Sequence, residues 1–225
     1  MSKLDERNLE WYLEREEERK KDIISSMLDS ADDLASSIAN KVLKVASTFQ
    51  KYPAVRNVTI SGPPLNGSLV GGRDLYVLVT VDKAIFGVRM RKSLQEDLSE
   101  LEGVRERERK NYLKVPHELR FNPRLKLTFC QSKEKLIRDA RSYRQGDYLY
   151  KSLGNLGPLM IASGVNLGDK DKISITVLKE LARRFDSFSD FKLEIRNFEE
   201  LLRERELKGT TFYQPVFELR AAYTP

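Results

Sequence analysis

The chain reads as an α+β protein in which a long N-terminal amphipathic helix packs on a mixed β-sheet with further helices. Three observations predict this. Apolar residues recur at helical spacing from Ile24 to Phe49. Two β-branched runs, ending at Ile60 and spanning Leu75–Val81, flank a connection rich in Gly, Pro, Ser and Asn. Beyond them, short apolar runs alternate with helical patterns, as a layered core requires. At 225 residues and 40% apolar, the chain can bury one large core or two smaller ones.

Residues 3–21 are polar on nearly every face after Leu13, with Glu14, Glu16, Glu17 and Glu18 at helical spacings from Arg15, Arg19, Lys20 and Lys21. Such a run reads as a solvated helix face held by local ion pairs, each contributing only a few tenths of a kcal/mol. From Asp22 to Phe49 the stripe of Ile24, Met27, Leu28, Ala31, Leu34, Ala35, Ile38, Val42, Val45 and Phe49 predicts one continuous helix about 40 Å long. Ile24, Leu28, Leu34, Ile38 and Val42 are its expected buried positions. Lys51-Tyr52-Pro53 stops it, since the residue before a proline is driven out of the helical region.

After the two strands, Met90, Leu94, Leu98 and Leu101 predict a helix that Gly103 can close. Pro116 and Pro123 break the basic stretch that follows, and Leu125, Leu127 and Phe129 alternate as a strand with one apolar face. Ser132 and Glu134 open a helix reaching about Tyr143. Leu149–Ile161 is apolar but interrupted by Gly154, Gly157 and Pro158. Val177, Leu178, Leu181 and Phe185 place a helix over 173–185; Asp169 or Asp171 would cap it, a more economical use than metal binding. Phe191–Ile195 alternates like a strand, 198–207 reads as a helix, and 212–219 as a last strand edged by Pro215.

Several function classes are excluded or disfavoured by composition. No segment approaches the ~18 apolar residues of a membrane span, and the acidic start lacks a leader's apolar core. A single cysteine, Cys130, forbids an internal disulfide and reads as a buried thiol at a strand end. A single histidine, His117, leaves little for zinc. The expected location is the cytoplasm.

The net charge of +6 is regional. Residues 103–151 carry fourteen Lys/Arg against six acids, whereas the remaining residues sum to −2. Arg105, Arg107, Arg109, Lys110, Lys114, Arg120, Arg124 and Lys126 are interleaved with Tyr112, His117 and Phe121. Cations attract phosphates, and aromatics can stack on unpaired bases, so this segment is a candidate nucleic-acid contact for RNA or DNA. The competing reading is a solvated face partly neutralised by Glu106, Glu108 and Glu118.

The connection from Ser61 to Asp74 is the sharpest motif. Glycines let backbone N–H groups approach an anion, so Ser61, Gly62, Ser68, Gly71, Gly72 and Arg73 could cradle a phosphate or nucleotide. The same residues also satisfy an ordinary hairpin connection, and the spacing fits neither a Walker A loop nor a dinucleotide fingerprint. A strand, Ser61-Gly62, a short loop and then Arg73-Asp74-Leu75-Tyr76-Val77-Leu78-Val79 resembles the nucleotidyltransferase (polymerase-β-like) superfamily over about residues 34–155. Gly146-Asp147-Tyr148-Leu149-Tyr150 is similar to the segment after that family's third strand. In that family two carboxylates two apart on a strand, joined by a third from a neighbouring strand, hold divalent ions.

This chain departs from the pattern. The Gly-Ser order is inverted, or displaced to Gly67-Ser68; Tyr76 stands at the second carboxylate position, and Lys126 where the third acid is expected. The resemblance therefore implies a nucleotidyltransferase-like scaffold over 51–155, preceded by a helical segment over 1–50. Residues 156–225 would extend it or form a second small domain. Asp74 is the one candidate catalytic residue. No metal or cofactor is expected, with Mg²⁺ required only if the site is active. The expected function is that of a non-catalytic module associated with nucleic acid or nucleotide. A structural or assembly protein docking partners through its N-terminal helix, and an active nucleotidyltransferase, are the two rivals.

Overall fold

The computed structural model describes residues 6–66, 74–101, 124–151 and 155–207. Its architecture is α+β, with one four-stranded mixed sheet among the described residues and helices on both faces. The strands are β1 (Val55–Ser61), β2 (Asp74–Val81), β3 (Arg124–Ser132) and β4 (Val165–Leu167), in the order β3-β2-β1-β4. β1 lies antiparallel to β2 and to β4, while β2 and β3 are parallel. Among the described residues seven α-helices accompany them: α1 (Glu6–Leu28), α2 (Asp33–Gln50), α3 (Val88–Leu101), α4 (Lys133–Arg141), α5 (Gly157–Ser163), α6 (Ile173–Ala182) and α7 (Phe188–Leu207).

Strand alternation divides the core into two apolar layers. Val58, Ile60, Val77, Val79, Cys130 and Val165 pack with Ile38, Val42, Val45 and Phe49 of α2 and with Leu94 of α3. The opposite face contributes Tyr76 and Leu78 to a layer with Leu136, Leu159, Val177, Leu181, Phe191 and Phe198 from α4 to α7. The first helix enters both, with Leu9 and Leu13 in the second layer and Ile24 and Met27 in the first.

Three sequence expectations are corrected, and one strand is found that none anticipated. The helix expected over 22–49 is two helices, because Asp29–Asp32 turns the chain. The Asp32 carboxylate accepts from Leu34 N (2.8 Å) and Ser30 Oγ accepts from Asp32 N (3.1 Å), so short polar side chains outcompete continuation of the ladder. As a result Leu28, expected inside, is 36% exposed at the end of α1, and Leu34 is only partly buried. The strand expected over 191–195 is the first part of α7. Phe188, Phe191, Ile195, Phe198 and Leu202 follow a 3-4-3-4 spacing that buries one helical stripe, while Leu193, the centre of the apparent alternation, is 48% exposed. Strict alternation through 125–129 is interrupted, since Leu125 and Leu127 pair with consecutive residues Leu75 and Tyr76 and leave Lys126 as a bulge. Lastly, β4 has three residues between Gly164 and Gly168, too short for a periodic signal. The strand expected over 212–219 lies outside the described residues.

Candidate functional site

Pairing directions decide where the candidate residues meet. β1 runs out at Ser61, β2 begins at Asp74, and β3 begins at Arg124; antiparallel β1–β2 and parallel β2–β3 pairing put all three at one end of the sheet. Asp74 is opposite Arg124 and Ser61 is opposite Tyr76. Gly62 has φ 146°, a conformation open to glycine, and its carbonyl accepts from Leu65 N (3.1 Å) to close a tight turn over Pro63–Asn66. Ser61 is fully buried, and its Oγ finds no hydrogen-bond partner among the described residues. Of the other candidates, Ser68, Gly71, Gly72, Arg73, Arg105, Arg107, Arg109, Lys110, Lys114 and Arg120 lie outside the described residues, as does His117.

The structure locates Tyr76 and the start of β3, the positions compared above with carboxylates. Tyr76 is 1% exposed in the apolar layer with Leu78 and Leu136. Burial there suits an aromatic ring and would penalise an ionised carboxylate. On the neighbouring strand the residue in register with Asp74 is Arg124, with Lys126 bulged two residues on. No group of three or more His, Cys, Asp or Glu placed to hold a metal occurs among the described residues.

The structure also exposes polar groups that sequence reasoning missed. Lys20, read as part of a solvated face, is 4% exposed, and its Nζ donates to Ala162 O (2.8 Å) and Gly164 O (3.0 Å) where α5 ends. An ammonium there neutralises terminal carbonyls that no further helical turn can satisfy. Burial pulls the Lys20 ammonium down from 10.5 to about 8, against the opposing pull of the Glu199 and Glu16 carboxylates. Burial pushes half-buried Glu199 of α7 up to about 7, with Lys20 the largest opposing charge. A signal was present: Lys20 continues the 3.6-residue stripe of Leu9, Leu13, Ile24 and Met27.

Two further networks brace the second layer. Thr59 Oγ1 donates to Asn166 Oδ1 (2.7 Å), Asn57 Nδ2 donates to both groups, and Asn166 Nδ2 donates to Ile161 O (3.2 Å). These bonds tie short β4 and the end of α5 to β1. Glu194, 2% exposed, accepts from Tyr143 Oη and Gly146 N, each at 2.6 Å. Burial first and the Glu194 bond second push the Tyr143 phenol far above its ordinary value. The network fixes the left-handed turn at Gly146 (φ 83°) after α4.

Asp169 serves the start of α6, as a capping role requires. Its Oδ1 accepts from Ile173 N (2.9 Å), and its carboxylate also takes the Ser174 N–H and hydroxyl. Cys130 is buried in the first layer. No helix among the described residues is long and apolar enough to cross a membrane. No protein family, curated protein or solved structure matches the chain.

Proposed function

We propose that this protein is a nucleic-acid- or nucleotide-associated module on a nucleotidyltransferase-like scaffold, and that it does not catalyse transfer. One observation carries the reading. The glycine-rich connection 62–73 joins β1 to β2, and the basic segment before residue 124 leads into β3, so both attach to the sheet end where Asp74 stands opposite Arg124. Phosphate-binding backbone and phosphate-seeking cations therefore issue from one place. Absence of catalysis is supported by buried Tyr76 and by the identity of the residue in register with Asp74 on β3, which is Arg124 and not an acid; neither position supplies a divalent ion with a further hard oxygen ligand.

Titration with labelled single-stranded RNA and DNA at several salt concentrations tests it. Replacing Arg109, Lys110 and Arg120 with Gln should lower affinity and flatten the log–log salt slope by roughly 0.7–0.9 per lost contact. Asp74→Asn should alter binding or stability without a reaction rate to change. Incorporation of labelled nucleotide with Mg²⁺ or Mn²⁺ that vanishes in Asp74→Asn would instead establish an enzyme. Self-assembly without nucleic-acid affinity would favour the assembly reading.

A further inference from the structure

We propose, resting on the nucleic-acid reading above, that a second contact surface for a single strand is built where α4 and α6 end, with Tyr150 as its stacking platform. Arg141 of α4 donates from Nε and Nη2 to Glu180 of α6 (2.9 and 3.3 Å), and Arg183 reaches the same carboxylate at 3.1 Å. Arg184 Nε donates to Tyr143 O (3.3 Å), and Lys151 Nζ lies 6.0 Å from the Tyr143 ring centre. Lys151 also pairs with Asp147 (2.6 Å), which holds the turn by accepting from Arg144 N (2.8 Å).

The exposures are asymmetric within these pairs. Glu180 and Asp147 side chains are each 17% exposed, whereas Arg141 is 65%, Arg183 57% and Lys151 35% exposed. The carboxylates lie beneath and the cations face water, so the outer surface is more positive than a charge count suggests. Arg138 and Arg144 are also exposed; the exposed acids on these elements are Glu134, one turn before Arg138, and Asp186 past Arg184. Cations at two helix C-termini would complement the local dipoles in any protein. The aromatic is what a dipole role leaves unexplained: Tyr150 is 88% exposed and Leu149 52%, on the short turn that carries Lys151. A ring in water on the turn that leads into Lys151 suits a strand whose bases are unpaired, since every base has a face to stack.

Anisotropy of a fluorescein-labelled oligouridylate on the full chain tests this, with inorganic polyphosphate as the base-free competitor. Tyr150→Ala should weaken oligouridylate binding by about tenfold or more and leave polyphosphate binding unchanged. Arg138→Gln with Arg144→Gln should weaken both and flatten the single-strand salt slope by about 1.4. All three side chains are exposed, so unchanged thermal stability confirms that the fold is intact. If Arg109/Lys110/Arg120→Gln loses affinity while both corner variants bind as the parent, the corner alone is refuted. The corner is also overturned if polyphosphate binding falls with Tyr150→Ala as far as RNA binding does. A parent that binds no oligouridylate at low salt overturns both proposals, whereas loss in the corner variants alone upholds this surface and refutes the loop contact.

Discussion

Replacing Lys20 with Met should change how stability depends on pH far more than it changes stability at neutrality. The folded ammonium titrates at about 8 against 10.5 for the unfolded chain. Between those values the unfolded state binds the extra proton, so stability rises with pH across this window and is flat, at its lower value, below it. The shift corresponds to about 3 kcal/mol, at most about 1.4 kcal/mol per pH unit. Methionine keeps the apolar stem and removes the charge, but leaves Ala162 O and Gly164 O without their donor. One buried and one partly buried carbonyl left unsatisfied cost roughly 2–4 kcal/mol, which nearly offsets the desolvation relieved. Lys20→Met should thus unfold close to the parent at pH 7 and be about 3 kcal/mol less stable than it near pH 10.5. Urea unfolding of both proteins from pH 6.5 to 10.5 measures the difference. The tyrosines and exposed lysines cancel in it, while Glu199, deprived of its largest opposing charge, is pushed further up and lowers the variant's stability in the same direction. A difference independent of pH would refute the buried ammonium, and with it the docking of α1 against the end of α5.

Ile38, with no exposed surface between α2 and the sheet, should cost about 2–5 kcal/mol as Ile38→Ala, and partly buried Leu34→Ala less, by the same urea titration. Asp169→Ala removes the acceptor for the first N–H groups of α6 and should destabilise by about 1–2 kcal/mol, read as a lowered thermal midpoint.

The strands β1 and β2 were legible because β-branched runs bounded by turn residues compete with no helical period, and α2 and α6 because one stripe of each is apolar. The break at Asp29–Asp32 was hidden by Ala31 and Leu34, which keep the helical rhythm while Ser30 and Asp32 take over the backbone. Residues 191–195 misled for a related reason. Alternation in a short window is satisfied by any helix with one exposed apolar residue, here Leu193. Ser61, Gly62 and Asp74 could be singled out because they sit in strand-end and turn chemistry, which is local. The Lys20–Gly164 and Tyr143–Glu194 contacts could not, because they join residues far apart in sequence; the stripe on α1 turns Lys20 inward but does not say which carbonyls it meets.

The first helix has a further consequence for the order in which the molecule is made. Lys20 bonds to residues 142 and 144 positions later, and Glu10 pairs with Lys179, 169 positions later. During synthesis the Leu9–Lys20 half of α1 therefore emerges before α5 and α6 and must wait for them, while its Ile24–Met27 end can settle on α2 at once. Closing so long a span incurs its entropy before any contact compensates, which slows folding. Throughout that interval the growing chain carries an apolar stripe with a lysine in its middle. The same charge that is costly once buried keeps the waiting helix hydrated.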